Sequence, residues 1–240
     1  MNYDAIFFGA HPDDVEIGCA GTIASLTAQN KKVAIVDVTS AELSTRGDII
    51  TRKQEALNAA KILGVQERVI LDIPDGNIQV NKENTIKVIE IIRKYKPKLI
   101  FAPYFNDRHP DHINISRLIK EAYFYSGLQK ISTIVDGKKQ DFYRPRNLFY
   151  YMTYFIFEPS FVIDISDFME TKIQALKAYK SQFYNPDSDE PLTLIAKADF
   201  FDYIKSRNQI YGFRIGKSFA EPYFYEDYLM YDFNILFNNS

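Results

Sequence analysis

Four times between residues 1 and 125 a short apolar run gives way to a longer segment with the periodicity of a helix. Asp4–Ala10 (DAIFFGA), Lys32–Thr39 (KVAIVDVT), Arg68–Ile73 (RVILDI) and Lys98–Tyr104 (KLIFAPY) read as strands. Glu16–Gln29, Thr51–Gly64, Asn84–Tyr95 and a segment carrying Ile115, Leu118, Ile119 and Ala122 at helical spacing read as helices. Thr51 and Gln54 fit a capping box at the second helix, and Gly64 fits its C-terminal stop. Strands so short and apolar are buried on both faces, and strands joined by a helix lie parallel. The alternation therefore predicts an α/β fold: a Rossmann-like, mostly parallel twisted sheet with helices on both faces.

The pattern changes after residue 125. Asp136–Arg146 reads as a polar loop or hairpin, NLFYYMTYF and FVIDIS as strands, and SDFMETKIQALKAYKSQF as a helix with Asp167 and Glu170 as its capping box. A loop over Tyr184–Pro191 and a helix over Asp199–Ile210 follow, and the aromatic stretch YFYEDYLMYDF fits a sheet edge or a subunit contact. With no repeat or linker in view, residues 1–240 read as a single domain. Residues 1–125 form its Rossmann-like core with the site, and residues 126–240 complete the pocket.

Composition narrows the partners. A net charge of −2 gives no electrostatic reason to expect nucleic acid or an anionic membrane. One cysteine, Cys19, allows no internal disulfide and reads as a packed side chain of the first helix. The N-terminus lacks the pattern of a signal sequence, so the expected location is cytoplasmic.

In open α/β sheets ligands bind beyond the carboxyl ends of the strands. The three histidines, His11, His109 and His112, all fall there, inside HPDD after the first strand and HPDH after the fourth. His11, Asp14 and His112 make a set of two imidazoles and one carboxylate. A catalytic zinc site takes three protein ligands and leaves its fourth position to water, whereas a structural site takes four, usually with thiolates. One Zn2+ per chain is expected, with Fe2+ an alternative for the same ligand set. Asp13 can then act as general base on a water at the metal, although Asp13 with Glu16 also fits a simple helix cap. His109 faces the same pocket as an imidazolium that stabilises an oxyanion or protonates a leaving amine. Asp111 either orients the His109 ring or caps its own helix. Arg46 and Arg52, in the loop after the second strand, suit a grip on a carboxylate or phosphate, or else are solvated surface groups.

AHPDDVEIGCAGTIA followed by DRHPDH resembles the LmbE-like, or PIG-L, family of zinc-dependent N-acetylglucosamine deacetylases. TSAELSTRGDIITRKQEA, DRHPDHINISRLIKEAYFYSGLQKI, FVIDIS and AYKSQF look like its bacillithiol-biosynthesis branch. The branch's YAEGF-like segment is here FAEPYF, with Glu221 kept and Pro222 in place of glycine.

The resemblance implies zinc on His11, Asp14 and His112, Asp13 as base, His109 as electrostatic and acid partner, and Arg52 as a substrate contact. It implies hydrolysis of the acetamide of N-acetylglucosaminyl malate by a homo-oligomer, a trimer or hexamer. The alternatives are deacetylation of free N-acetylglucosamine or chito-oligosaccharides, or a non-catalytic metal- or nucleotide-binding module. The dinucleotide reading lacks its motif, because the GCAGTIA segment has no G-x-G-x-x-G fingerprint.

Overall fold

The structure, a computed structural model, describes residues 2–230. The predicted alternation is present. It runs β1 (Ala5–Gly9), α1 (Asp14–Ala28), β2 (Val33–Asp37), α2 (Ile49–Ile62), β3 (Glu67–Ile70), α3 (Lys82–Tyr95), β4 (Leu99–Pro103) and α4 (Pro110–Ser126). A short hairpin, β5 (Ile134–Val135) and β6 (Lys138–Lys139), turns through Asp136 and Gly137, both at positive φ. Then come β7 (Asn147–Tyr151), β8 (Phe161–Asp164), α5 (Met169–Lys177), α6 (Phe200–Arg214) and β9 (Ala220–Phe224).

The main sheet has the order β3-β2-β1-β4-β7-β9-β8. The first five strands are parallel, with Phe7 opposite Ile35 on one side and Phe101 on the other. Alternation along each strand feeds two cores. Phe7, Ile35, Phe101 and Tyr151 pack toward α1, α2, α5 and α6, while Ile6, Phe8, Val36 and Ile100 pack toward α3 and α4. Burying each such side chain is worth about 1.5–3 kcal/mol. α1 approaches the sheet closely enough that a Cβ on Gly18 would run into the Tyr151 ring. Cys19 is buried in that interface, as a packed side chain.

Several local expectations change. Asp48, not Thr51, caps α2, its carboxylate accepting from the Thr51 N–H at 2.7 Å. No side-chain cap forms at Asp167, and the long helix expected over SDFMETKIQALKAYKSQF is a 3-10 turn at Ser166–Phe168 followed by α5 alone. The chain leaves helical geometry after Lys177, and Ser181 bonds to other elements: its N–H donates to Glu55 Oε1 at 2.8 Å and its carbonyl accepts from Arg46 Nε at 2.6 Å. The described part of the aromatic stretch is not at a sheet edge. Its first residues lie in β9, inside the sheet between β7 and β8 and antiparallel to both. The rest of that expectation, from residue 231 on, lies outside the described residues. Among the described residues no helix is long and apolar enough to cross a membrane.

Candidate active site

β1 and β4 are sheet neighbours, but β2 follows β1 away from β4, so the crevice between β1 and β4 is the point where strand order reverses. HPDD leaves one strand and HPDH the other. A cavity of about 600 Å³ opens above them, lined also by the loops after β2, β3 and β7.

Asp14 opens α1, where a carboxylate suits the helix N-terminus. Its Oδ2 accepts the His11 N–H at 2.8 Å and lies 3.4 Å from His11 Nδ1, while its Oδ1 lies 3.0 Å from His112 Nε2. The far nitrogen of each ring rests on another carboxylate. His11 Nε2 meets Asp75 Oδ1 at 2.9 Å, and His112 Nδ1 meets Asp107 Oδ1 at 3.0 Å. That is how metal-ligating imidazoles are held: the outer carboxylate fixes the tautomer and turns the free nitrogen inward. His11, Asp14 and His112 offer ligand atoms all within 4.8 Å of one another; Asp14 and His112 are buried, and the His11 side chain is mostly so. His11, His109 and Asp111 form a second such group, but their atoms have other partners, described below.

The electrostatics point the same way. Burial pushes the Asp14 carboxyl up, but the charge and hydrogen bonds of His112 and His11 hold it well below the usual carboxylate range. Burial pulls His112 down, yet Asp14 and Asp107 raise it to about 9. His11 is raised well above its ordinary value, its bonds to Asp111, Asp14 and Asp75 overcoming burial. These carboxylates call for positive charge at this spot, and a divalent cation on two imidazoles and a carboxylate would supply it. The residues present fit a metal ion.

Asp13 and Asp14 are adjacent but serve different places. Asp13 has φ 119°, a left-handed conformation that costs a non-glycine residue of order 1–3 kcal/mol. Its side chain makes no cap bond to α1, so the simple helix-cap reading fails. Glu16 meanwhile pairs with Arg68 and accepts from Tyr179. Asp13 Oδ2 instead accepts from Arg52 Nη2 at 3.1 Å, and the residue lines the cavity. Burial, and secondarily the charge of Asp14, lift its carboxyl to about 7 against the pull of Arg52. A group poised there can take and return a proton at neutral pH.

Asp111 takes neither expected role with its side chain. The N-cap of α4 is His109, whose Nδ1 accepts the Asp111 N–H at 3.2 Å. The Asp111 backbone therefore holds the His109 ring, while the Asp111 carboxylate accepts the Gly76 N–H at 2.9 Å beside His11. A ring nitrogen that accepts an N–H carries no proton, so the His109 proton sits on Nε2. Partial burial and the charges of His11 and His112 lower its proton affinity. The expected imidazolium is, in this arrangement, a neutral ring with an Nε2–H donor.

Both arginines are buried rather than solvated. Arg52 bonds Asp13, Ser44 Oγ at 2.6 Å and the Pro12 carbonyl. Arg46 donates to the carbonyls of Ser181, Glu190 and Pro191 and to Ser188 Oγ, with distances of 2.6 to 3.1 Å. It fixes the segment that carries Thr193, Leu194 and Ile195 into the cavity wall.

Sequence reasoning misses Asp75 and Asp107. Asp107 accepts from His112 Nδ1, the His109 N–H, Thr153 Oγ1 and the Tyr154 N–H. Both follow the carboxyl end of a parallel strand, and that position is the available signal. Arg108 and Tyr154 are missed too; the guanidinium lies over the ring at the cavity mouth, 5.4 Å from its centroid.

Residues 6–123, which carry both histidine motifs, match the model of the GlcNAc-PI de-N-acetylase (PIG-L) family. A diacetylchitobiose deacetylase of Thermococcus kodakarensis is 30% identical over 187 residues, covering 72% of this chain and 67% of that protein. The chain belongs to the PIG-L family of deacetylases. A probable N-acetyl-alpha-D-glucosaminyl L-malate deacetylase 2 of Bacillus subtilis is 28% identical, over 72% of this chain and 80% of that one. The solved structure of the conserved protein TT1542 from Thermus thermophilus is 32% identical, with a TM-score of 0.85, covering 96% of this chain and 97% of that chain.

Proposed function

We propose that this PIG-L family member is a metal-dependent N-deacetylase that hydrolyses the acetamide of an N-acetylglucosamine conjugate. The observation that carries the reading is the pairing of two kinds of carboxylate at one crevice. Asp14 sits between two imidazoles as a ligand, and Asp13 sits beside it on Arg52 as a proton carrier. His11, Asp14 and His112 would hold the ion, which we take to be one Zn2+ per chain. When bound, such an ion polarises a carbonyl oxygen and makes a water more acidic.

The rest is done by the protein. Asp13, with Oδ2 held by Arg52, accepts a proton from the attacking water at its other oxygen. The water oxygen bonds to the acetamide carbon, and His109 Nε2–H donates a hydrogen bond to the oxygen on which negative charge grows. When the carbon–nitrogen bond breaks, the proton on Asp13 passes to the departing nitrogen, leaving acetic acid and a free amine, which separate as acetate and ammonium. Asp111, through its N–H, keeps the His109 Nε2–H turned to the pocket. The whole chain would act as one domain, with residues 126–240 supplying walls to a site whose proposed ligands lie in residues 1–125.

The cavity bears on the conjugate. Arg46 and Arg52 are committed to protein partners, which moves the expected carboxylate grip to Arg108, stacked on Tyr154 at the mouth. A cation there suits N-acetylglucosaminyl malate, in line with the Bacillus subtilis relative, and the assignment to bacillithiol biosynthesis rests on that likeness. A second reading has its own observation: Tyr154 and Tyr203 both line the cavity and offer rings on which a neutral second sugar can lie. That suits a chito-oligosaccharide, in line with the Thermococcus relative. A cytoplasmic homo-oligomer fits either reading.

Acetate release from N-acetylglucosaminyl malate, diacetylchitobiose and N-acetylglucosamine, each with zinc-loaded protein, tests both levels. Release from the malate conjugate at the highest kcat/KM, with Arg108→Gln raising KM for that substrate alone, supports the anionic reading. A preference for diacetylchitobiose overturns it and keeps the deacetylase. No acetate from any of the three overturns the deacetylase proposal for this substrate class.

A further inference from the structure

We propose that Arg207, on α6, is a positioning residue that sets the geometry between Asp14 and His112 from behind the site. The proposal rests on the reading of His11, Asp14 and His112 as the metal-holding set.

Arg207 is buried, and its two terminal nitrogens reach different elements. Nη2 donates to the Ile17 carbonyl at 2.8 Å, and Nη1 donates to the Thr153 carbonyl at 2.7 Å. Ile17 lies on α1 one turn after Asp14. Thr153 follows β7, and its Oγ1 donates to Asp107 Oδ2 at 2.6 Å while Asp107 Oδ1 meets His112 Nδ1. One planar guanidinium thus has an arm on the helix that carries one ligand. Its other arm is on the residue that steadies the partner of another ligand. Only arginine presents such a rigid fork.

The α1 end of this clamp is built, not incidental. The Gly21 N–H, whose helical acceptor would be the Ile17 carbonyl, donates to Glu221 Oε1 at 3.0 Å, and the Thr22 N–H donates to Glu221 Oε2 at 2.8 Å. Lys172 Nζ bridges Glu221 Oε1 at 2.6 Å and the Ile17 carbonyl at 2.8 Å. A carboxylate from β9 therefore engages the amide groups of α1, and two cations from α5 and α6 engage its carbonyl. Side chains that enter a helical ladder are an established cause of bending. Among the described residues both hydrogen-bonded partners of Arg207 are backbone carbonyls, and its Nε has none. Burying an arginine on neutral acceptors is costly. A neutral donor could secure either carbonyl at less cost, but it could not hold both at a fixed separation. The Ile17 and Tyr203 side chains line the cavity, so the clamp lies just beneath its floor.

The test uses metal-free full-length protein titrated with Zn2+ against a chromogenic chelator, with the melting temperature of the apo-protein measured in parallel. Arg207→Met should weaken zinc binding about tenfold, the low end of the effect of removing a ligand's hydrogen-bonding partner. Arg207→Lys, which keeps one arm, should fall between. Thr153→Val removes only the hydroxyl link to Asp107; it should weaken zinc binding severalfold with little change in melting temperature. The double variant should lose less than the product of the single effects, because both substitutions cut one chain of contacts. Melting temperature lowered with zinc affinity unchanged overturns the proposal, as do effects of Arg207→Met and Thr153→Val that multiply. If Arg207→Met does not fold, wild-type zinc affinity in both Arg207→Lys and Thr153→Val overturns it. His112→Ala is the control for the reading beneath: unaltered zinc affinity there overturns the ligand assignment, and the clamp with it.

Discussion

The two halves of the sheet follow different construction rules. From β3 to β7 every pair is parallel, so every strand releases its chain at the same edge. His11, Arg46 and Arg52, Asp75, Asp107 and His112, and Thr153 with Tyr154 all lie in or just beyond the segments that leave that edge. β9 runs antiparallel to both of its neighbours, β7 and β8, and it works with α5 to a different end. Glu221 and Lys172 pair in a place with no exposure at all and grip α1 from behind. The parallel half displays groups to a substrate. The antiparallel half holds the helix on which one of those groups is mounted.

The contrast gives a graded set of outcomes. Asp13→Asn should lower kcat by about 10²–10⁴-fold. Bound zinc should stay near one per chain and the melting temperature near the wild-type value, as read by acetate release and metal analysis. Simultaneous loss of zinc would mean that Asp13 belongs with the ligands.

Arg68→Met should act on the parallel half by stability instead. It strands Glu16 and Asp37, two buried carboxylates paired with that guanidinium, at a cost of about 3–5 kcal/mol in urea denaturation. A cost well below that range would mean that these carboxyls stay neutral.

Asp107→Asn should weaken zinc binding about 10–100-fold in chelator competition. The protein should still fold, because the amide can keep some of the four hydrogen bonds.

The smallest effect is expected in the wall. Arg46→Ala should release the segment from Ser188 to Pro191, raise KM about severalfold with kcat nearly kept, and expose the segment to limited proteolysis. A fall in kcat with unchanged KM would put Arg46 nearer the chemistry than its contacts suggest.

The parallel half is legible because its signals are local. Phe7 and Phe8, or Ile35 and Val36, feed opposite cores from one apolar run, and a helix follows each strand at the expected spacing. The twin HPDD and HPDH motifs are legible for the same reason: a residue after a strand of a parallel sheet has few places to go. Partnerships between distant residues are not legible. Arg46 reads as a substrate contact, since nothing in the loop after β2 shows that Ser181, Glu190 and Pro191 will present carbonyls to it. Asp111 reads by its carboxylate when its N–H does the holding, because His109 takes the cap position usually filled by Ser, Thr, Asp or Asn.

By itself the sequence determined the alternation of strands and helices and the clustering of every histidine at one sheet edge. Both follow from hydrophobic periodicity and from the geometry of strands joined by helices. The tertiary structure alone decided which carboxylate serves which ring, that Asp13 turns away from Asp14 at a positive φ, and that β9 enters the sheet between β7 and β8. These depend on where residues far apart in the chain come to rest. A buried polar group takes whichever partner the packed chain brings within hydrogen-bond distance.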